Sequence, residues 1–164
     1  MIDPADARLY EVVKQTLEGA DSDKVAIVAA CAGLLACVAY ADRDFSPEEI
    51  AKASGLLSTV QGIGPEGSHA IVQAMQANVV ELTTVHAMRF ARTLRDLANH
   101  ELRLTIVSML LELAAVDEDI KLSEVAALRN ITGALGLTQE EYNGLQEKYR
   151  ERLRTVRAAD SLED

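Results

Sequence analysis

The sequence predicts an all-α fold: one compact bundle of seven to eight helices, built from two pseudo-symmetric helical repeats. Three observations predict it. Nearly half of the 164 residues are apolar, mostly Ala and Leu, with no Trp and few other aromatics, and such small side chains let helix backbones pack closely. Pro is rare, and β-branched residues do not alternate with polar ones, so strand signals are weak. Finally, an unbroken apolar run, Val25 to Ala41, ends abruptly in Asp42-Arg43-Asp44-Phe45-Ser46-Pro47-Glu48-Glu49, and the event recurs about 75 residues later. There, Leu110 to Val116 runs into Asp117-Glu118-Asp119-Ile120-Lys121-Leu122-Ser123-Glu124.

Each element has a local reason. Asp3-Pro4 reads as an N-cap with Pro in the first turn, opening a helix to about Glu18 that Gly19 stops. This N-terminal capping helix takes up residues 1–22, and the main helical domain covers 23–157. Asp21-Ser22-Asp23 caps the apolar run, and a helix apolar on all sides belongs at the centre of a bundle. Ser46-Pro47-Glu48-Glu49 is a capping box, with Ser46 and Glu49 serving each other's orphan amides. The helix it opens has the inner stripe Ile50, Ala53, Leu56, Leu57 and Val60, and Gly62-Ile63-Gly64 ends it.

Pro65 starts a fourth helix reaching about Val79, and Thr83-Thr84 starts a fifth, with Val85, Met88, Phe90, Ala91, Leu94 and Leu97 as apolar contacts. Asn99 caps a heavily apolar helix from about His100 to Val116. The next helix carries Val125, Leu128, Ile131 and Leu135 and closes at Gly136. Thr138-Gln139-Glu140-Glu141 is a second capping box, opening a polar helix to about Val156, and residues 158–164 form a frayed tail. The two repeats span about 25–80 and 100–157, each an apolar helix, an acid turn, an amphipathic helix ending at Gly, and a further helix.

The charge narrows function. A formal charge of −10 with a pI near 4.8 excludes the cationic footprint that nucleic acid requires, and it disfavours anionic lipid. It favours cations or a basic protein partner. The N-terminus lacks the apolar core of a signal peptide, and the Val25–Ala41 run reads as a buried core helix rather than a membrane span. Cys31 and Cys37 stand six residues apart on one helix, about 9 Å of axial rise and too far for a disulfide. Reduced, buried thiols fit a cytoplasmic protein.

The two acid turns are the candidate site. Asp42, Asp44 and Glu49 in the first copy match Asp117, Asp119 and Glu124 in the second, with the Glu seven residues after the first Asp each time. Carboxylates without Cys or His suit hard cations such as calcium or magnesium. A calcium EF-hand does not fit, because its loop needs Gly at position six and Glu at position twelve. Part of the pattern has a purely structural reading: acids in a first helical turn complement the dipole, and the capping box accounts for Glu49. Asp42 and Asp117 do not share it, since they follow helix C-termini, where negative charge is unfavourable.

On these residues the chain resembles the TerB-like tellurite-resistance domain family. The resemblance runs from about Asp23 to Tyr142. It rests on Ala41-Asp42 with Glu49, on Val116-Asp117 with Glu124, on Phe45 and Ile120 in the turns, and on Gly136-Leu137-Thr138 with Glu141. Arg43 and Glu118 stand where the family has Gly. The resemblance implies a compact helical module of stress responses that binds metal ions or protein partners and is not an enzyme.

An alternative is a carboxylate-bridged metal enzyme. Glu66-Gly67-Ser68-His69 spells the Glu-x-x-His of di-iron bundles, but such a site needs two copies and two further Glu, and His86 and His100 are isolated. No nucleophile elbow or phosphate loop is present, and Gly62-Ile63-Gly64 follows a helix rather than a strand. Arg150, Arg152, Arg154 and Arg157 read as a solvated face alternating with Glu147 and Glu151.

Overall fold

The computed structural model describes residues 4–40, 46–60, 62–78, 84–116 and 122–147. Eight helices and no strand occur among them. They are α1 (Pro4–Thr16), α2 (Ser22–Ala39), α3 (Pro47–Ser58), α4 (Gly64–Asn78), α5 (Thr84–Leu97), α6 (His100–Ala114), α7 (Leu122–Ala134) and α8 (139–147). The predicted continuation of the last helix to Val156 and the tail at 158–164 lie outside the described residues.

The apolar run becomes α2, and α2 is the axle of the bundle. From Val28 to Ala39 every residue is buried, and α1, α3, α4, α5, α6 and α7 all touch it. A helix with this many neighbours needs small side chains, because bulky ones on every face would hold the other helices away. Gly33 is the tightest case. A Cβ there would lie 2.6 Å from Cδ2 of Phe90, so the α5 ring packs directly on the α2 backbone. Among the described residues α2 is also the one helix long and apolar enough to cross a membrane, yet most of it is buried inside the protein.

The predicted caps at Asp21 and Asn99 are present, while Asp3 lies outside the described residues. Asp21 accepts from the Lys24 N–H (2.8 Å), and Asn99 accepts from the Leu102 N–H (2.8 Å). At the end of α7, Leu137 N–H donates to Thr132 O and Gly136 N–H donates to Gly133 O, which is the Schellman arrangement. It needs a left-handed residue, and Gly136 supplies it with φ +78°. Leu137 then folds back into the core.

Three features depart from the sequence reading. Leu97, placed among the apolar contacts of α5, is 39% exposed, while Ala87 and His86 of that helix are buried. The α8 helix is less polar in its role than in its composition, because Tyr142 is fully buried and Leu145 packs against the core. His100 is not isolated: its Nε2 lies 2.6 Å from Glu141 Oε2.

The α8 cap carries a pH prediction. Thr138 N–H donates to Glu141 Oε1 (3.0 Å), and Glu141 N–H donates back to the Thr138 hydroxyl (3.1 Å). The Thr138 N–H chiefly holds the Glu141 carboxyl below its ordinary range; slight burial opposes this, while the Thr138 hydroxyl and His100 reinforce it. The folded state therefore holds this proton less tightly than the unfolded chain. Its contribution to stability is complete above the unfolded carboxyl value near ~4.3 and is lost as pH falls through the lower folded value. Carboxyl-carbon NMR should show Glu141 titrating below the same residue in an unfolded peptide; a midpoint at or above the peptide's would refute the cap.

Both cysteines are buried and neither forms a disulfide. Burial pushes the Cys31 thiol up to about 12, leaving almost no thiolate at neutral pH. Iodoacetamide at pH 8 should leave Cys31 unmodified in the native protein and alkylate it in denaturant, read by mass spectrometry. Rapid native labelling would contradict the packing around α2.

Candidate functional site

The direction of three helices brings the C-termini of α2 and α6, each followed in sequence by an acid stretch, to one end of the bundle. Only residues 40–46 separate α2 from α3, a short helix–helix connection. The two helices run antiparallel: Leu57 at the end of α3 and Val60 just after it line one groove with Ile27, Val28 and Cys31 in the first half of α2. The same α3 runs antiparallel to α6. Lys52, midway along α3, reaches Glu112 near the end of α6 at 4.0 Å, while Val60, just past α3, shares the groove with Leu102 and Ile106 near the beginning of α6. Two helices each antiparallel to α3 are parallel to one another, and α2 and α6 are in contact. Their C-termini, at Tyr40 and Ala115, therefore point the same way.

The Lys52–Glu112 pair serves here as a ruler and contributes little stability. Both side chains are about two-fifths exposed, and such pairs are worth about 0–1 kcal/mol.

The predicted site residues divide as follows. Asp42, Asp44, Asp117 and Asp119 lie outside the described residues, as do Arg43, Glu118 and the turn residues Phe45 and Ile120. Glu124 lies in α7, with its side chain outside the described set. Glu49 is described, and its carboxylate does structural work. The Ser46 N–H donates to Glu49 Oε1 (3.2 Å), and the Glu49 N–H donates to Ser46 Oγ (3.1 Å). The residue is only 2% exposed, which is unusual for a carboxylate and shows how firmly the start of α3 is seated.

The residues that follow these two termini in the sequence are strongly acidic. Residues 41–49 and 117–124 carry eight carboxylates, counting Asp42, Asp44, Glu48, Glu49, Asp117, Glu118, Asp119 and Glu124, against Arg43 and Lys121. Two parallel helices add the negative ends of their dipoles, each equivalent to roughly half a charge. The alternative di-metal constellation gains nothing from the fold. Glu66 and His69 are exposed at the start of α4, and among the described residues no three His, Cys, Asp or Glu gather closely enough to hold a metal.

Sequence reasoning missed two features near these helices. One is the half-open apolar groove between α2, α3 and α6; half-buried Ile27, Val60, Leu102 and Met109 were its only trace in the sequence. The other is Arg103, whose Nη1 donates to Leu135 O across 32 residues (2.7 Å) and ties α6 to the end of α7.

An all-helical bundle around α2, in which α2 and α6 run parallel and each is followed in sequence by an acid stretch, defines the class of this protein. Comparison with protein families matches residues 28–147 to the family described as Tellurite resistance protein TerB, and the chain belongs to that family. Comparisons with curated proteins and with solved structures returned no match.

Proposed function

We propose that this TerB-family chain is a non-enzymatic, cytoplasmic module of a tellurite or metal-stress response that binds a divalent cation at its acidic end. The carrying observation is the parallel course of α2 and α6, which delivers both helix C-termini to one end. Asp42, Asp44, Asp117 and Asp119 supply the oxygens, with Glu124 beside them. Glu49 acts mainly through its capping box, fixing where α3 begins. The donor set is all oxygen, so calcium or magnesium is the ion class. The placement of Asp42 and Asp117 after helix C-termini then has a physical reason, since a cation offsets both the mutual repulsion and the dipoles.

Protein partners are a second reading of the same end, favoured by the net charge of −10, which draws a basic surface. Calorimetry separates the two. Titrating calcium, magnesium, manganese and zinc into the protein should give heat with at least one, and Asp117→Ala should abolish it. Silence with all four overturns the cation reading and leaves the partner reading standing.

A further inference from the structure

We propose that the groove between α2, α3 and α6 is a docking site for a basic amphipathic helix of a partner protein. It lies toward the opposite end of the bundle from the C-termini of α2 and α6 and stands independently of the cation reading. The cavity has a volume of about 380 Å³, within the range of specific binding sites. Its walls are apolar: Ile27 and Cys31 from α2, Val60 after α3, and Leu102, Ile106 and Met109 from α6. Four of these, Ile27, Val60, Leu102 and Met109, are only partly buried.

The shape suits a helix. The α6 wall offers residues at i, i+4 and i+7, and Lys24, Ile27, Val28 and Cys31 on α2 stand at i, i+3, i+4 and i+7. Each wall is thus one helical stripe about 10 Å long, two turns of helix. Two nearly parallel stripes with a trough between them form the groove into which a third helix lays its own i, i+3, i+4 and i+7 anchors.

The charge decides which occupant fits. Asp21 and Asp23, both exposed, stand at the mouth with Lys24, so the rim carries one more negative charge than positive. A fatty acid or phospholipid would bring its anionic head against those carboxylates. A helix with Lys or Arg beside its apolar anchors meets the rim and the −10 chain favourably.

The test uses the full chain and two synthetic helical peptides. Both carry Leu at i, i+3, i+4 and i+7; one has Lys and the other Glu on the remaining face. Fluorescence anisotropy should show the Lys peptide binding at least tenfold more tightly than the Glu peptide. Methyl NMR should place the shifts at Ile27, Val60, Leu102 and Met109. Asp21→Asn with Asp23→Asn, which keeps an N-cap residue at position 21, should weaken the Lys peptide about three- to tenfold. Val60→Glu, at a half-exposed site, should weaken both peptides. Equal binding of the two peptides, shifts at Tyr40 and Val116 instead, or no binding overturns the proposal. So does dodecanoate occupying the groove more tightly than the Lys peptide, or nuclear Overhauser contacts in the free protein from residues 148–164 to the groove methyls.

Discussion

Gly33→Ala should destabilise the protein by about 1–3 kcal/mol, although Ala is the better helix former. In an exposed helix the exchange would gain about 0.8–1 kcal/mol. Here the new methyl overlaps the Phe90 ring, and close-packed interiors resist added volume by about 1–3 kcal/mol. In a domain of this size each kcal/mol moves Tm by about 2–4 °C. Phe90→Ala alone should cost about 3–5 kcal/mol, since the ring is 7% exposed and its loss opens a cavity on α2. The double variant is the informative one. A methyl introduced at position 33 can occupy space that the ring has left, so the pair should be less destabilising than the sum, by a coupling of about 0.5–3 kcal/mol. Denaturant unfolding of the four proteins measures this, and additivity would show that Gly33 and Phe90 do not meet.

A divalent cation should raise stability, and neutralising Asp117 should remove that gain while sparing the apo protein. At a hundred times Kd, a ligand specific for the folded state adds about 2.7 kcal/mol, which in a domain of this size is a Tm rise of about 5–10 °C. Asp117→Asn and Asp42→Asn each delete a negative charge beside a helix C-terminus, so without cation they should stabilise by about 0.3–1 kcal/mol. The opposite signs with and without cation identify a binding residue. A merely structural Asp would lower Tm under both conditions. Differential scanning fluorimetry in calcium, in magnesium and in EDTA reads both arms.

The helices were legible because their signals are local. Asp21, Ser46, Asn99 and Thr138 announce helix starts through side chains that reach only three residues along the chain. The centrality of α2 followed from its lack of a polar face. What remained hidden depends on long-range geometry. Nothing near Tyr142 distinguishes a core anchor from a surface tyrosine, because its burial is decided by residues brought to it from elsewhere in the chain. Leu97 fits the apolar periodicity of α5, yet the helix ends before a neighbour can cover it.

The candidate site divides in the same way. The spacing of Asp42 to Glu49 and Asp117 to Glu124 can be counted in the sequence, and so can the capping role of Glu49. The parallel course of α2 and α6 cannot. It depends on Lys52 meeting Glu112 and on Val60 facing Leu102, contacts spanning some forty to sixty residues of chain. The groove was hidden for a related reason: each wall reads as an ordinary core stripe, and only the packed helices reveal that the space between them is unfilled.

If the two acid stretches act as one binding face, a single bound ion reaches the flanks of both. Manganese substituted into the uniformly nitrogen-15-labelled protein tests it directly, because the ion broadens amide signals near where it binds. The signals of Tyr40 and Ser46 should fade together with those of Ala115 and Val116 at less than one equivalent. Loss at only one of the two flanks, or loss centred on Asp21 and Asp23 at the other end, would contradict it.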